Sequence, residues 1–117
     1  MAPKRILLVD DEPEVFTILA GILRRQGYAV DVASSAAEAS RYLGEYRYSL
    51  VISDWQLGDG DGVQIADAAA DAGAQTAIIS GYLFELWGEA AKRHITIMKP
   101  IDFHHLLYRV EKMTEQI

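Results

Sequence analysis

Five side chains with suitable chemistry for phosphoryl transfer stand at the ends of short apolar runs. Asp10 and Asp11 follow "ILLV", Asp54 follows "LVIS", Ser80 ends "AIIS", and Lys99 follows "TIM". An aspartate can attack a phosphoryl group and form an acyl phosphate. Phosphoryl transfer otherwise depends mainly on charge neutralisation and alignment, which a cation, an ammonium group and a hydroxyl can supply. The residue types therefore predict phosphoryl chemistry.

The adjacent acidic pair has two interpretations. Asp11 could cap the following helix, because Asp11-x-x-Glu14 is a loose capping box with Pro13 in the first turn. That interpretation leaves Asp10 unexplained. Two neighbouring anions are tolerable if a divalent cation lies between them, and hard oxygen ligands suit Mg²⁺. Without a metal or a nearby lysine, one of the two carboxyl groups should be driven towards protonation. We favour the magnesium site.

The remaining three side chains receive roles from the same chemistry. Asp54 is the predicted nucleophile, since it comes alone from a central strand and precedes a glycine-rich loop, "LGDGDG". With Mg²⁺ on one phosphoryl oxygen, Lys99 would bind a second and Ser80 would donate a hydrogen bond to the third. Ser80 has an alternative role as the cap of the next helix. Lys99 has an alternative as a solvated surface lysine.

The elements that must position these residues alternate regularly along the chain. Apolar runs predict strands, and amphipathic patterns predict helices, one of them opened by a capping box of Ser35 and Glu38. This alternation predicts an α/β fold, a five-stranded parallel sheet that is doubly wound, with five helices. The strand order is not visible in the sequence, and we expect the flavodoxin-like order 2-1-3-4-5 because it is common in doubly wound sheets of this size. The carboxyl ends of such strands share one rim, where sites form. The predicted strands are 5–9, 28–33, 49–54, 76–80 and 95–99, and the predicted helices are 14–27, 35–46, 63–73, 83–94 and 102–116.

Length and composition exclude several classes of protein. At 117 residues the chain is expected to be a single domain over 1–117 with no output domain. It has no cysteine, which excludes disulfides and fits a reducing cytoplasm. The apolar runs are far shorter than the ~18 residues of a membrane span, and the start has no signal-peptide pattern. A net charge of −6 argues against direct nucleic-acid binding.

Four motifs carry a family resemblance over nearly the whole chain. In order, "LLVDDEPE", "LVISDWQLGDGDG", "AIISGY" and "IMKP" resemble the receiver domain of two-component response regulators. The resemblance implies that Asp54 accepts a phosphoryl group from a phosphohistidine of a histidine kinase or phosphotransfer protein. It implies that Asp10, Asp11 and Asp54 hold Mg²⁺ together with the backbone carbonyl of Gln56.

The same resemblance assigns the other site residues. Ser80 would be the switch hydroxyl and Lys99 the phosphoryl-binding ammonium, with a cis peptide between Lys99 and Pro100. The chain would be a signalling switch that catalyses only its own phosphorylation and dephosphorylation, so it is not expected to be an enzyme otherwise. Its partners would be the phosphoryl donor and a downstream protein. The chain is also expected to form a phosphorylation-dependent dimer and not to insert into a membrane.

The chain departs from the family pattern near the surface that carries the output signal. Thr96 stands where an aromatic residue is usual, Gly58 replaces a common proline, and a glycine is missing before the last strand. The separation from Ser80 to Lys99 is about one helical turn short, a turn being ~3.6 residues. Tyr82, two positions after Ser80, is expected to shield an acyl phosphate from water.

Two rival functions remain open from the sequence. A degenerate receiver would act as a phosphorylation-independent interaction module, and Mg²⁺ binding with acyl-phosphate formation would separate it from a switch. A haloacid dehalogenase-type phosphohydrolase also uses aspartate, Mg²⁺ and lysine, but there the two aspartates are two positions apart. Four further residues are interpreted as structural: Asp59 and Asp61 in a turn, and His104 and His105 on a solvated helix face.

Overall fold

The computed structural model describes residues 4–81 and 92–115. The helix predicted over 83–94 falls mainly outside these residues. Tyr82 and Trp87 also fall outside them, so the shielding role of Tyr82 stays a prediction.

Five strands form a parallel sheet with the predicted strand order. Their bounds are β1 Arg5–Val9, β2 Ala29–Ala33, β3 Leu50–Asp54, β6 Gln75–Ser80 and β7 Ile95–Met98, and two short strands, β4 Gln56–Leu57 and β5 Gly60–Asp61, lie between β3 and β6 in the chain. The order β2-β1-β3-β6-β7 is the predicted 2-1-3-4-5 order of the five main strands. The central strand β3 is buried at every position, as its continuous apolar run predicts. The glycine-rich loop contains a feature that was not predicted, an antiparallel hairpin of β4 and β5.

Helices cover both faces of the sheet. Within the described residues they are α1 Glu14–Arg25, α2 Ala36–Glu45, α3 Gly62–Asp71 and α4 Phe103–Glu115. Side chains of β1 alternate between the two faces, with Ile6 and Leu8 packed on one side and Leu7 and Val9 on the other. The first cluster includes residues of α1 and α4, and the second includes residues of α2 and α3. The doubly wound fold is therefore confirmed.

The start of α1 argues against the capping interpretation of the acidic pair. The helix has Pro13 at its N-cap position and no side-chain cap hydrogen bond, so the capping box of Asp11 and Glu14 is wrong. Asp10 makes the local turn instead, because its Oδ1 accepts the backbone N–H of Glu12 at 2.9 Å. The carboxylate of Asp11 is thus not engaged in capping this helix.

The starts of α2 and α4 follow the sequence pattern more closely. Ser35 Oγ accepts the backbone N–H of Glu38 at 3.0 Å, while Glu38 Oε1 accepts the N–H of Ser34 rather than that of Ser35. At the start of α4, His104 and His105 are exposed, which agrees with a solvated face. Among the described helices, none has both the length and the apolar character needed to cross a membrane.

Candidate functional site

The predicted site residues meet at the carboxyl rim of the sheet. Asp54 is the last residue of the central strand β3, and its register partner on β6 is Ile79. Ser80 follows Ile79 and pairs in register with Met98 of β7, directly before Lys99. Asp10 follows β1, the other neighbour of β3. Parallel pairing therefore brings residues from four separate strands to one edge.

The three aspartates form a cluster that could hold a metal ion. One oxygen of each of Asp10, Asp11 and Asp54 lies within 4.8 Å of the others. Asp54 is 7% exposed, whereas Asp11 is exposed to solvent. The three aspartates line an open cleft at this rim of the sheet, and Gln56, the fourth predicted ligand, lines the same cleft. Hard carboxylate oxygens, with room for water on the open side, fit the preference of Mg²⁺.

The electrostatics of Asp10 reflect this crowding. The pKa of Asp10 is raised to about 6, chiefly by burial and also by the nearby carboxylates of Asp54 and Asp11. The Glu12 backbone N–H and the Lys99 ammonium act in the opposite direction on this pKa. The sequence predicted such a shift from repulsion within the acidic pair when no metal or lysine is nearby, whereas here Lys99 is nearby and burial is the largest cause. A divalent cation could take the place of the proton on Asp10.

The carboxylate of Asp54 is oriented by two donors. Lys99 Nζ lies 3.1 Å from Asp54 Oδ1, and the backbone N–H of Trp55 donates to the same oxygen at 3.1 Å. The ion pair argues against the alternative of Lys99 as a simple surface lysine. Charge-assisted hydrogen bonds of this kind fix geometry as well as charge. The side chain of Lys99 is still 42% exposed, so it can also reach an incoming anion.

Ser80 lies close to Asp54 in a buried position. It is 2% exposed and lines a cavity of about 360 Å³ together with Asp54, Gln56 and Lys99. The backbone carbonyl of Ser80 accepts the N–H of Lys99 at 2.9 Å, which ties the two strand ends together. The peptide between Lys99 and Pro100 is cis, as the family resemblance implied. The capping alternative for Ser80 concerns a helix outside the described residues.

Gly62 is a site residue that the sequence reasoning missed. A Cβ atom at this position would lie 2.0 Å from the backbone oxygen of Asp54 and 2.9 Å from Ser53 Oγ. The N–H of Gly62 donates to the carbonyl oxygen of Trp55 at 2.7 Å. The chain thus turns back directly against the backbone of Asp54, where only glycine fits. Three glycines within five residues, 58–62, were the available signal.

The two aspartates of the hairpin make structural hydrogen bonds. Asp61 caps α3 by accepting the Val63 N–H at 2.7 Å. Asp59 accepts two backbone N–H groups of α2, from Ala36 and Ala37. Neither carboxylate belongs to the three-aspartate cluster found within 4–81 and 92–115. Their interpretation as structural residues is consistent with these contacts.

Comparisons with known proteins agree with the geometry of the site. The family model described as the response regulator receiver domain matches residues 6–111. The transcriptional regulatory protein GlrR of Escherichia coli K12 is 41% identical over 63 residues, which is 54% of this chain. That match covers 14% of GlrR, so the chain corresponds to only a small part of that regulator.

Two solved structures extend the similarity to the whole fold. The receiver domain of the hybrid histidine kinase CckA is 32% identical, with a TM-score of 0.75, covering 93% of this chain and 97% of the other. The response regulator TrrA of Thermotoga maritima, solved in complex with Mg²⁺-BeF, is 27% identical with a TM-score of 0.77. The TrrA match covers 94% of this chain and 98% of the other.

Proposed function

Because the chain belongs to the response regulator receiver domain family, we propose that it is a phosphorylation-dependent signalling switch. Asp54 accepts a phosphoryl group from a phosphohistidine of a histidine kinase or phosphotransfer protein. The observation that supports this most directly is the contact of 3.1 Å between Lys99 Nζ and Asp54 Oδ1 beside the cluster of Asp10, Asp11 and Asp54. A nucleophile, a cationic partner and a candidate metal site meet there.

The proposed reaction transfers one phosphoryl group. A carboxylate oxygen of Asp54 attacks phosphorus, the phosphorus–nitrogen bond of the donor breaks, and its electron pair returns to the imidazole nitrogen. The product is an acyl phosphate on Asp54. Water later attacks the acyl phosphate, which restores the carboxylate and releases inorganic phosphate. Lys99 is placed to stabilise charge on the phosphoryl oxygens throughout.

A magnesium ion belongs to this proposal. Asp10, Asp11 and Asp54 would hold Mg²⁺ with the carbonyl oxygen of Gln56, and the ion would neutralise charge on a phosphoryl oxygen when bound. The cluster of three carboxylate oxygens within 4.8 Å supports this ligand set. TrrA, solved with Mg²⁺-BeF, supplies the family precedent.

The output side of the switch is proposed from the same site. Buried Ser80 would donate its hydroxyl to the phosphoryl group and shift the equilibrium between two conformations. A cytoplasmic location, a downstream protein target and a phosphorylation-dependent dimer belong to this proposal. The chain would act on its own aspartate alone and would bind neither nucleic acid nor a membrane directly.

A second candidate function has one observation in its favour. Thr96, half-buried on the edge strand β7, occupies the usual aromatic position, and threonine has no ring whose rotation could be coupled to Ser80. A degenerate receiver acting as a phosphorylation-independent interaction module would tolerate that change. The combined presence of Asp10, Asp11, Asp54, Ser80 and Lys99 favours the switch. Membership of the receiver family also argues against the dehalogenase-type phosphohydrolase.

Tryptophan fluorescence can test the proposal. The chain has two tryptophans, so Trp87→Phe leaves Trp55, next to the acceptor, as the reporter. We expect Mg²⁺ and then beryllofluoride, a phosphoryl mimic, to change its emission in two steps. Asp54→Asn should abolish the beryllofluoride step, while Asp71→Asn, an exposed aspartate near the far end of α3, should keep it. A beryllofluoride response that survives Asp54→Asn would contradict the assignment of Asp54.

A further inference from the structure

We propose that Asp59 is a positioning residue for the magnesium and phosphoryl site. It fixes the tip of the β4–β5 hairpin, residues 58–60, to the N-terminus of α2. The inference rests on the proposed function, because it concerns how the same site is held in place. Asp59 itself would touch neither the metal nor the phosphoryl group.

The anchoring contact uses both oxygens of one carboxylate. Asp59 Oδ1 accepts the N–H of Ala36 at 2.7 Å, and Asp59 Oδ2 accepts the N–H of Ala37 at 3.0 Å. These donors belong to the first turn of α2, where backbone N–H groups have no partner within the helix. Such bonds favour the ionised acceptor, and they lower the pKa of Asp59. The contact joins two segments that are 23 residues apart.

The tip of the hairpin has few side chains that could hold it in place by packing. Gly58 and Gly60 flank Asp59, and each strand of the hairpin is two residues long. Gly60 packs tightly on α2, since a Cβ atom there would lie 2.9 Å from Ala36 Cβ. Asp59 and Gly60 thus hold the tip against the same end of one helix.

The tip in turn borders the metal ligands. Gly58 and Gly60 line the cleft together with Asp11 and Gln56. A Cβ atom built on Gly58 would lie 3.6 Å from Asp11 Oδ2. Gln56, whose carbonyl is a proposed ligand, begins the hairpin as the first residue of β4. A tip released from α2 would therefore change the geometry of two of the proposed ligands.

Asp59 and Ser35 accept different N–H groups at the N-terminus of α2. Ser35 Oγ accepts the Glu38 N–H at 3.0 Å, whereas Asp59 accepts those of Ala36 and Ala37 from the hairpin. Ser35 is the N-cap residue of α2, and its hydrogen bond with Glu38 does not involve the hairpin. Ser35→Ala is therefore a matched control, since it weakens the same helix end without releasing the tip.

The test is a titration with MgCl₂ that is monitored through the amide signals in NMR spectra, together with hydrogen exchange in the metal-free protein. We expect Asp59→Ala to remove the protection of the Ala36 and Ala37 amides and to weaken Mg²⁺ binding about tenfold. Asp59→Asn keeps one acceptor oxygen and should lose less affinity than Asp59→Ala. Ser35→Ala should bind Mg²⁺ within about twofold of the wild type, although its helix end is weakened.

Each outcome separates this inference from the function on which it rests. Wild-type Mg²⁺ affinity in Asp59→Ala, with the amide protection lost, would overturn the inference and leave the proposed function intact. An equal loss in Ser35→Ala would also overturn it, because the effect would then come from α2 alone. A wild-type protein that does not bind Mg²⁺ would overturn both.

Discussion

At the scale of single residues, the carboxyl group of Asp10 carries the clearest electrostatic cost. It is partly buried and lies close to Asp11 and Asp54, and its pKa is raised to about 6, chiefly by burial. An unfolded chain would return this pKa to about 3.8. The folded, metal-free protein therefore binds the proton more tightly than the unfolded chain does. Ionised Asp10 destabilises the fold above pH 6, and protonation relieves this cost as the pH falls towards 4.

Asp10→Asn should stabilise the metal-free protein at neutral pH while weakening Mg²⁺ binding. We expect the free energy of unfolding at pH 7.5 to rise by about 1 kcal/mol, after allowing for solvent screening. The variant removes a negative charge that is partly buried and lies close to two other carboxylates. Most of the gain should disappear at pH 4.5, where Asp10 is already protonated in the wild type. Urea unfolding at both pH values without metal measures this. A variant less stable than the wild type at pH 7.5 would contradict the account.

The five strand-end side chains were predictable because their positions depend only on strand ends. Once the strands are parallel, Asp10, Asp54, Ser80 and Lys99 must meet at one rim. Which of two adjacent aspartates makes a local turn depends on backbone torsion angles, so the sequence alone could not exclude the disfavoured alternative in which Asp11 caps α1. The preference for Mg²⁺ followed from the chemistry of carboxylate oxygens, and it is still a proposal.

At the scale of elements, the connection from β3 to α3 packs directly against the backbone of Asp54. Its glycines predicted a loop, and the structure contains a hairpin that returns to the backbone of Asp54 through Gly62. The sequence could show that glycines were present but not which of them is required. That depends on the distance between two backbones that only the folded chain brings together.

Gly62→Ala should destabilise the protein by about 3 kcal/mol, because its Cβ would meet the backbone oxygen of Asp54 at 2.0 Å. Gly44→Ala is the matched control, since a Cβ there would have no atom within 4 Å and alanine favours the α2 helix. Urea unfolding of both variants measures the difference. Equal stabilities of the two variants would show that the close approach at Gly62 is not a constraint.

A second element-scale feature that the sequence reasoning missed is the buried side chain of His94. Its Nδ1 is paired with Thr76 Oγ1 of β6, and its Nε2 lies 2.6 Å from Asp67 Oδ1 of α3. Arg93 also binds Asp67 through two hydrogen bonds. One imidazole thus ties α3 to the segment that leads into β7. A single histidine beside an apolar run gives no sequence signal for such a network.

His94→Ala should lower the free energy of unfolding by about 2 kcal/mol, because it leaves the buried Thr76 hydroxyl and one Asp67 oxygen without this partner. His104→Ala, at an exposed position, should change it by less than about 0.5 kcal/mol. Thermal or urea unfolding at neutral pH compares the two. A His94→Ala variant as stable as His104→Ala would mean that the network contributes nothing to the fold.

At the scale of the whole molecule, the fold could be predicted almost completely. Strict alternation of strands and helices limits the topology to a few choices, and the continuous apolar runs of β1 and β3 predict strands that are covered on both faces. The output surface could not be predicted in the same way. Thr96 and the short connection before β7 depart from the family there, and most of that connection lies outside the described residues.

The surface around the cleft suggests where a protein donor would approach. Val15 lines the cleft and is 40% exposed, and Ile18, one turn further along α1, is 60% exposed. We expect Ile18→Ser to slow phosphotransfer from a phosphohistidine protein about fivefold. Labelling by acetyl phosphate, which needs no protein contact, should not change.

The control for Ile18 is Tyr108→Ser on α4, where the tyrosine is 55% exposed and does not line the cleft. This variant should accept the phosphoryl group from the donor at the wild-type rate, as measured by the time course of radiolabel transfer. Equal rates for Ile18→Ser and the wild type would place the donor on another surface.

Intact-mass spectrometry after treatment with acetyl phosphate and Mg²⁺ tests most directly whether Asp54 accepts a phosphoryl group. We expect one added phosphoryl group on the wild-type protein, formed only when Mg²⁺ is present. The group should be absent from Asp54→Asn and retained by Asp71→Asn, which changes the same residue type away from the site. An unmodified wild-type protein, or an adduct that persists in Asp54→Asn, would contradict the claim that Asp54 is the phosphoryl acceptor.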